Sequence, residues 1–313
     1  MIYTVTLNPA IDKTLIIPGF ATGCVNRVQD VQTDAGGKGI NVSQMLCGLG
    51  IESEAMGIAG GQGGRIIVES LKNTGIKTDF VQVSGETRTN IKIVDTEKQI
   101  TTDVNEMGCT VSEKEIEELL SRLIKKVRQN DIVVLAGSLP KGVKEDTYQH
   151  WTQVCKQKGA KVFLDTAGTS RKLAVEAKPY LIKPNRKELE ELIEKPLPDL
   201  KEICTAAKEL TQNGIEKVVV SLGEEGVVFA SQEKLLYAPG LKAEVHTTVG
   251  AGDAVVAAFV VGEEQSMDDW DTLMLAVASG TAAVTKSGSV PPDAEDILSL
   301  VDCVEVRKII GML

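Results

Sequence analysis

Short β-branched runs punctuate the chain. Ile132-Val-Val-Leu135, Lys161-Val-Phe-Leu164, Tyr180-Leu-Ile182, Val218-Val-Val220 and Val227-Val-Phe229 are mostly apolar throughout. Strands covered on both faces read this way, whereas half-exposed strands alternate. Tyr3 to Leu7 is a further strand, ending at Asn8-Pro9. Helical spacings lie between the runs. Ser112-Glu-Lys-Glu115 forms a capping box ahead of Ile116, Leu119, Leu120, Leu123 and Ile124. Asp199 to Gln212 predicts another helix, stopped by Asn213-Gly214. Strand–helix alternation of this kind predicts the α/β class, a mainly parallel sheet covered by helices. Ligands in such sheets bind beyond the carboxyl ends of the strands.

Two stretches break the pattern. Thr87-Arg-Thr-Asn-Ile-Lys-Ile-Val94 and Gln99-Ile-Thr-Thr-Asp-Val-Asn105 alternate polar and apolar positions, as a solvent-facing antiparallel hairpin does. Residues 12 to 34 are similarly mixed. Both read as a small accessory sheet, from segments 12–34 and 86–108, interrupting one domain that spans residues 1–313. No repeat or low-complexity linker divides the chain.

Composition narrows the function classes. With 42% hydrophobic and 25% charged residues, the chain is of ordinary globular type. Its 44 acidic against 34 basic residues give a net charge of −10, which argues against nucleic-acid and anionic-membrane partners. A few local cations can still hold one phosphate. No segment reaches the roughly 18 uninterrupted apolar residues of a membrane span, and the start Met1-Ile-Tyr-Thr-Val-Thr-Leu7 lacks signal-peptide features. The six cysteines form no C-x-x-C pair and suit a reduced, cytoplasmic protein. His150 and His246 stand apart from Cys and Asp at ligand spacing, against a zinc site.

Four segments carry candidate chemistry. In Thr247-Thr-Val-Gly-Ala-Gly-Asp253, two glycines and an acid precede an apolar helix. Backbone amides at a helix start attract developing negative charge, and Asp253 beside them could accept a hydroxyl proton. The alternative is a simple helix cap. In Ala35-Gly-Gly-Lys-Gly-Ile-Asn-Val-Ser43, the glycines allow close approach to a ligand while Lys38 and Asn41 reach its oxygens. It is not a Walker A loop, since Gly39 follows Lys38; a tight turn with a surface lysine is the plain reading. In Leu181-Ile-Lys-Pro-Asn-Arg-Lys-Glu188, Asn185 and Glu188 suit a largely hydrated Mg²⁺, or else a capping box, which the local sequence favours. Ser221-Leu-Gly-Glu-Glu-Gly226 is either a hairpin turn or a backbone wall beside a nucleotide. Gly60-Gly-Gln-Gly-Gly64 reads as a flexible turn. No run fits G-x-G-x-x-G, which counts against an NAD oxidoreductase.

Together, segments 35–43, 185–188 and 250–253 resemble the signatures of the ribokinase-like (PfkB) carbohydrate kinase family, in the family's order and over essentially the whole chain. Thr4-Val-Thr-Leu-Asn-Pro-Ala-Ile-Asp12, Gly36-Gly-Lys-Gly-Ile-Asn41, Gly137-Ser-Leu-Pro140, Lys183-Pro-Asn185 and Ser221-Leu-Gly223 look like its 1-phosphofructokinase and tagatose-6-phosphate kinase branch. The resemblance implies a three-layer α/β core with a mainly parallel sheet and a β-sheet lid. It implies in-line transfer of the ATP γ-phosphoryl group with Mg²⁺. Asp253 falls on the base, and Gly250, Ala251 and Gly252 on the anion hole. In the mechanism expected for this chain, Lys183 joins those amides in stabilising the transferring charge. Asp12, Gly37 and Asn41 fall on groups that hold sugar hydroxyls, with Gly36, Asn90 and Ser138 completing that wall. Lys38, Arg88 and, more doubtfully, Arg27 could bind a substrate phosphate. Ser221, Gly223, Glu224, Gly226, Gly250, Gly252 and Asn185 are expected beside ATP, and Asn185 and Glu188 beside Mg²⁺.

The expected reaction is fructose 1-phosphate to fructose 1,6-bisphosphate. Tagatose-6-phosphate kinase is the nearest alternative, followed by a kinase of unphosphorylated sugars or nucleosides. A catalytically silent nucleotide-binding regulatory protein is the alternative of another class; Asp253, Asn185 and Glu188 together argue against it. The lid strands could also pair across a homodimer.

Overall fold

The computed structural model describes residues 1–286, 288 and 290–309. Its strands, in chain order, are β1 (Ile2–Thr6), β2 (Ala10–Ile16), β3 (Asp30–Gly36), β4 (Glu54–Gly60), β5 (Lys77–Val83), β6 (Arg88–Asp95), β7 (Ile100–Asn105), β8 (Ile132–Ala136), β9 (Lys161–Asp165), β10 (Leu181–Ile182), β11 (Lys217–Ser221), β12 (Val227–Ser231), β13 (Leu235–Ala238) and β14 (Arg307–Lys308). The helices are α1 (Lys38–Gly48), α2 (Gly61–Asn73), α3 (Glu113–Lys126), α4 (Thr147–Gln157), α5 (Gly168–Glu176), α6 (Arg186–Ile193), α7 (Leu200–Gln212), α8 (Ala251–Glu264), α9 (Asp269–Val284) and α10 (Ala294–Val301). None is long and apolar enough to cross a membrane, among the described residues.

Ten strands form one sheet in the order β14-β13-β12-β11-β10-β9-β8-β1-β4-β5. From β11 to β5 every neighbour is parallel, while β12, β13 and β14 run antiparallel at one edge. The apolar runs are explained by burial on both faces. Val5, Val133, Leu135, Val162 and Leu164 pack with Leu119, Leu123 and Trp151 of α3 and α4. Their alternates Ile2, Ile132, Val134 and Phe163 pack with Leu46, Val256, Val260 and Ala276 of α1, α8 and α9. The expected three-layer α/β architecture is thus present, with α1 and α8 side by side on one face.

The second sheet has the order β3-β2-β6-β7. β6 and β7 form the expected antiparallel hairpin, while β2 and β6 pair in parallel, joining the two sequence segments. Register places Asp12 opposite Asn90 on one face and Leu15 opposite Ile93 and Val31 on the other. That other face continues with Ile91 opposite Val104.

One expectation fails. Gly60–Gly64 is not a flexible turn: Gly60 ends β4, and Gly61 opens α2. Small residues leave no local capping signal there. The helix start is satisfied from a distance, since Gly63 N–H and Gln62 N–H donate to the Glu86 carboxylate at 2.5 and 3.1 Å. Buried Ile67 and Leu71 hold the helix down.

Candidate active site

A cleft of about 1360 Å³ opens at the carboxyl ends of the parallel strands, under the polar face of the second sheet. Its centre is the start of α8. Gly250 adopts a left-handed conformation (φ 81°) that an L side chain would resist, and this turns the chain into the helix. Asp253 follows in the first turn, 6% exposed. Burial pushes its carboxyl up to about 6; Lys38 opposes the rise, Asp165 adds to it, and the hydrogen bond from Asn41 opposes it. Asn41 Nδ2 donates to Asp253 Oδ2 at 2.7 Å. Asn41 is there because α1 lies against α8, with Gly37 as its N-cap and Lys38 as its first residue.

Two lysines share a buried acid beside Asp253. Lys38 Nζ donates to Asp165 Oδ1 at 2.9 Å, and Lys183 Nζ stands 3.6 Å from Asp165 Oδ2. Burial disfavours the Asp165 carboxylate, but Lys183 and then Lys38 outweigh it and hold its pKa below the ordinary value.

The second sheet supplies the polar wall. Asn90 Nδ2 donates to Asp12 Oδ1 at 2.9 Å. Arg88 Nη1 and Nη2 donate to the carbonyls of Glu106 and Asn8, each at 3.2 Å. Asn8 Nδ2 in turn donates to Ser138 Oγ at 3.2 Å. Arg88 Nε, Asn41 Oδ1 and Asn90 Oδ1 are buried without a protein partner. Buried polar groups are seldom left unmet, so one donor and two acceptors converging on a cleft mark a ligand site.

Asn185 and Glu188 form the capping box: Asn185 N–H donates to Glu188 Oε2 and Glu188 N–H to Asn185 Oδ1, both at 2.9 Å. Glu188 Oε1 also pairs with Arg171. Ser221 to Gly226 is a hairpin turn whose residues also face the cleft. It closes the β11–β12 hairpin through a 3-10 turn, and Ser221, Gly223, Glu224 and Gly226 line the cleft.

All the site residues expected from sequence line this one cleft except Gly36 and the more doubtful Arg27. Gly36 lies behind it at the end of β3, where a Cβ would fall 2.1 Å from Asp12 Oδ2. Its lack of a side chain lets the Asp12 carboxylate lie across the strand. Arg27 is exposed and not part of the cleft lining.

Sequence reasoning missed Asp165 and its neighbour Thr166, which follow an apolar strand and could have been found by the carboxyl-end rule. It also missed Asn8, for the same reason. The far end of the cleft is apolar, lined by Val227, Leu241, Val245, Val249, Val277 and Val284. Those residues carry no signal distinct from core.

A buried carboxyl at a helix start with two lysines beside it, in a cleft that also holds an anchored arginine, suits a phosphotransferase with an alcohol acceptor. The chain belongs to the pfkB family of carbohydrate kinases, whose family model matches residues 5–296. It is 36% identical to a 1-phosphofructokinase of Bacillus subtilis over 90% of this chain and 92% of that one. It is also 36% identical to a tagatose-6-phosphate kinase of Staphylococcus epidermidis, over 98% of this chain and 100% of that one. Phosphofructokinase-2 from Escherichia coli, in complex with substrates and products, superposes with a TM-score of 0.93 at 27% identity, covering 96% of this chain and 98% of that one. The protein is thus a sugar kinase, and the family implies ATP as phosphoryl donor.

Proposed function

We propose that the protein transfers the γ-phosphoryl group of ATP to fructose 1-phosphate, giving fructose 1,6-bisphosphate. The observation that carries the phosphorylated substrate is Arg88. Two backbone carbonyls fix its guanidinium on the cleft wall, and its buried Nε–H lacks a partner. A phosphate oxygen satisfies that donor, whereas a plain hydroxyl leaves the charge uncompensated.

The cleft geometry supports the following residue roles. The sugar lies under the second sheet, against Asp12, Asn41 and Asn90, with Ser138 and Gly37 at its edge. Asp253 takes the proton of the free primary hydroxyl. The hydroxyl oxygen then bonds to the γ-phosphorus as the bond to the ADP oxygen breaks. The start of α8 at Gly250, Ala251 and Gly252, with Lys183, faces the charge on the transferring group. ATP runs from there past Ser221, Gly223, Glu224 and Gly226, with its base in the apolar end of the cleft.

Mg²⁺ fits here through water. Among the described residues no cluster of three acidic, His or Cys side chains could cage a metal. Both carboxylate oxygens of Glu188 and the Asn185 Oδ1 already accept hydrogen bonds or an ion pair. Their remaining lone pairs can orient metal-bound waters, which is how Mg²⁺ is commonly held beside phosphates. When bound it would neutralise the phosphate charge.

The two sheets work as one kinase domain, with the second sheet, from segments 12–34 and 86–108, as a lid. Closing the lid excludes water that would otherwise accept the phosphoryl group. The outer lid face carries Val31 and Val104, 48% and 52% exposed, on the same side as Leu15, Ile91 and Ile93. An apolar sheet face of this kind suits a second lid across a homodimer. Sedimentation equilibrium should show dimer at micromolar concentration; monomer throughout would remove that assembly. Free cysteines among the described residues fit a cytoplasmic place.

The test of function is ADP release on fructose 1-phosphate, tagatose 6-phosphate, fructose 6-phosphate and fructose. Highest kcat/KM on fructose 1-phosphate is expected. Highest on tagatose 6-phosphate would favour the second reading, which the relative with that name supports. Preference for fructose would remove Arg88 as a phosphate anchor.

A further inference from the structure

Asp165 is a buried acid beneath the cleft, bound to two lysines that line it, and the reaction scheme above has no use for it. It ends β9, is 2% exposed, and lies between two cations. Its Oδ1 accepts from Lys38 Nζ at 2.9 Å, while Oδ2 is 3.6 Å from Lys183 Nζ and has no hydrogen bond of its own. Lys183 is 5% exposed and presses against Gly252, where a Cβ would fall 3.1 Å from Nζ. Three elements therefore meet at Asp165: the start of α1, the end of β9, and the segment after β10 that leads to Asn185.

Two ammonium groups on one carboxylate repel each other, and Lys183, with its side chain 5% exposed against 36% for Lys38, also loses hydration. One carboxylate between them offsets both costs. Arg171 nearby is cancelled by its ion pair with Glu188; the two lysines and Asp165 leave one positive charge, and ionised Asp253 cancels it. The floor of the cleft is therefore neutral when Asp253 is a carboxylate. It becomes positive by one charge once Asp253 accepts a proton.

We propose that Asp165 is a positioning residue for phosphoryl transfer, holding Lys38 and Lys183 together so that the floor gains one positive charge as Asp253 takes the sugar proton. The step balances. The hydroxyl hydrogen moves to an Asp253 oxygen, the freed oxygen bonds to the γ-phosphorus, and the electron pair of the broken bond leaves on ADP. The floor's charge thus rises where the charge of the transferring group must be met, with no side chain required to move. The inference rests on the reading of Asp253 as the base.

The groups around the two acids set the sign of a test. Facing Asp253 are Lys38 from α1, Lys183 after β10, Asp165 at the end of β9, and the neutral Asn41 amide. Facing Asp165 are Lys183, Lys38 and Arg171 from α5, with the buried Tyr148 hydroxyl of α4 nearby. Glu188 of α6 acts on Lys38 from farther off. Removing the Asp165 charge leaves mainly cations beside Asp253, so its ionised form is favoured.

The experiment uses the full chain with Asp165→Asn, of nearly the same shape, and the sugar phosphate on which the wild type turns over best. The kcat should fall on the order of 10²-fold, with the Michaelis constant of the sugar changed less than about threefold. The acidic limb of log kcat/KM against pH should move to lower pH. Lost turnover with an unmoved limb would make Asp165 a packing residue only and overturn the proposal; so would near-normal kcat. If Asp165→Asn does not fold, Lys38→Met reports instead: it removes a cation, so the limb should move to higher pH, and an unmoved limb overturns the proposal. A wild type inert on all four sugars would overturn the proposed function itself, and the Asp165 role with it. An active wild type whose limb does not respond overturns the Asp165 role alone.

Discussion

Asp253→Asn should cost roughly 10²- to 10⁴-fold in turnover, the range removed with a general base, while making the protein more resistant to heat. The two effects have one cause. The fold buries a carboxyl whose ionised form it disfavours, with a value of about 6 against an ordinary 3.8. A folded value raised above the unfolded one means that the native state holds its proton more tightly. The associated stability is fully present below the unfolded value and is lost as pH rises through about 6. At pH 8 the wild type bears the whole cost of a buried charge. Asparagine keeps the shape and can still accept from Asn41, without that charge. The gain is on the order of 1–3 kcal/mol at pH 8, or several degrees in Tm, and it vanishes near pH 4. Thermal melts of both proteins at the two pH values, with ATP binding by calorimetry, check this. A constant Tm difference across pH would show that Asp253 is not the titrating group. Near-normal turnover would show that it is not the base.

The trade between activity and stability at Asp253 bears on what the sequence could disclose. A short motif names the acid and its glycines, because the chemistry requires those residue types at that spacing. It cannot show that Asn41, on a helix 212 positions away in sequence, donates to the same carboxylate. That contact depends on α1 and α8 lying side by side on one face of the sheet. Strands such as β8 and β9 were legible because both faces are buried and the runs are short. β4, with the sequence EAMGIAG, was not, since it lacks β-branched density. The start of α2 was hidden because its cap is Glu86, 23 residues beyond Gly63. Asp165 was readable in principle, as an acid at the carboxyl end of an apolar strand. The apolar end of the cleft was not: Val277 and Val284 lie on a helix that is hydrophobic nearly all round, and nothing local separates a wall from a core. Asn185 and Glu188 show the converse. Their spacing admitted two readings, and the capping box is formed whichever role the pair plays toward Mg²⁺.

Arg88→Ala should raise the Michaelis constant for the sugar phosphate roughly 10- to 100-fold, as expected for loss of a charge-assisted pair worth about 1.5–3 kcal/mol. The constant for ATP should change less than about threefold, since Arg88 lies on the wall formed with Asp12 and Asn90, away from the 221–226 turn. The effect depends on the shape of the guanidinium as well as its charge. Two of its N–H groups are committed to the carbonyls of Asn8 and Glu106, which fixes the plane of the fork. The buried Nε–H is left for the substrate. Lysine at this position restores a charge but cannot bond both carbonyls and still present a fixed donor, so Arg88→Lys should recover only part of the loss. Steady-state kinetics with each substrate varied in turn separates the cases. Equal rises for ATP and sugar phosphate would move Arg88 out of the sugar site. Full recovery by lysine would mean that charge alone matters, and that the two carbonyl contacts serve to hold the start of β6 in place and not the substrate.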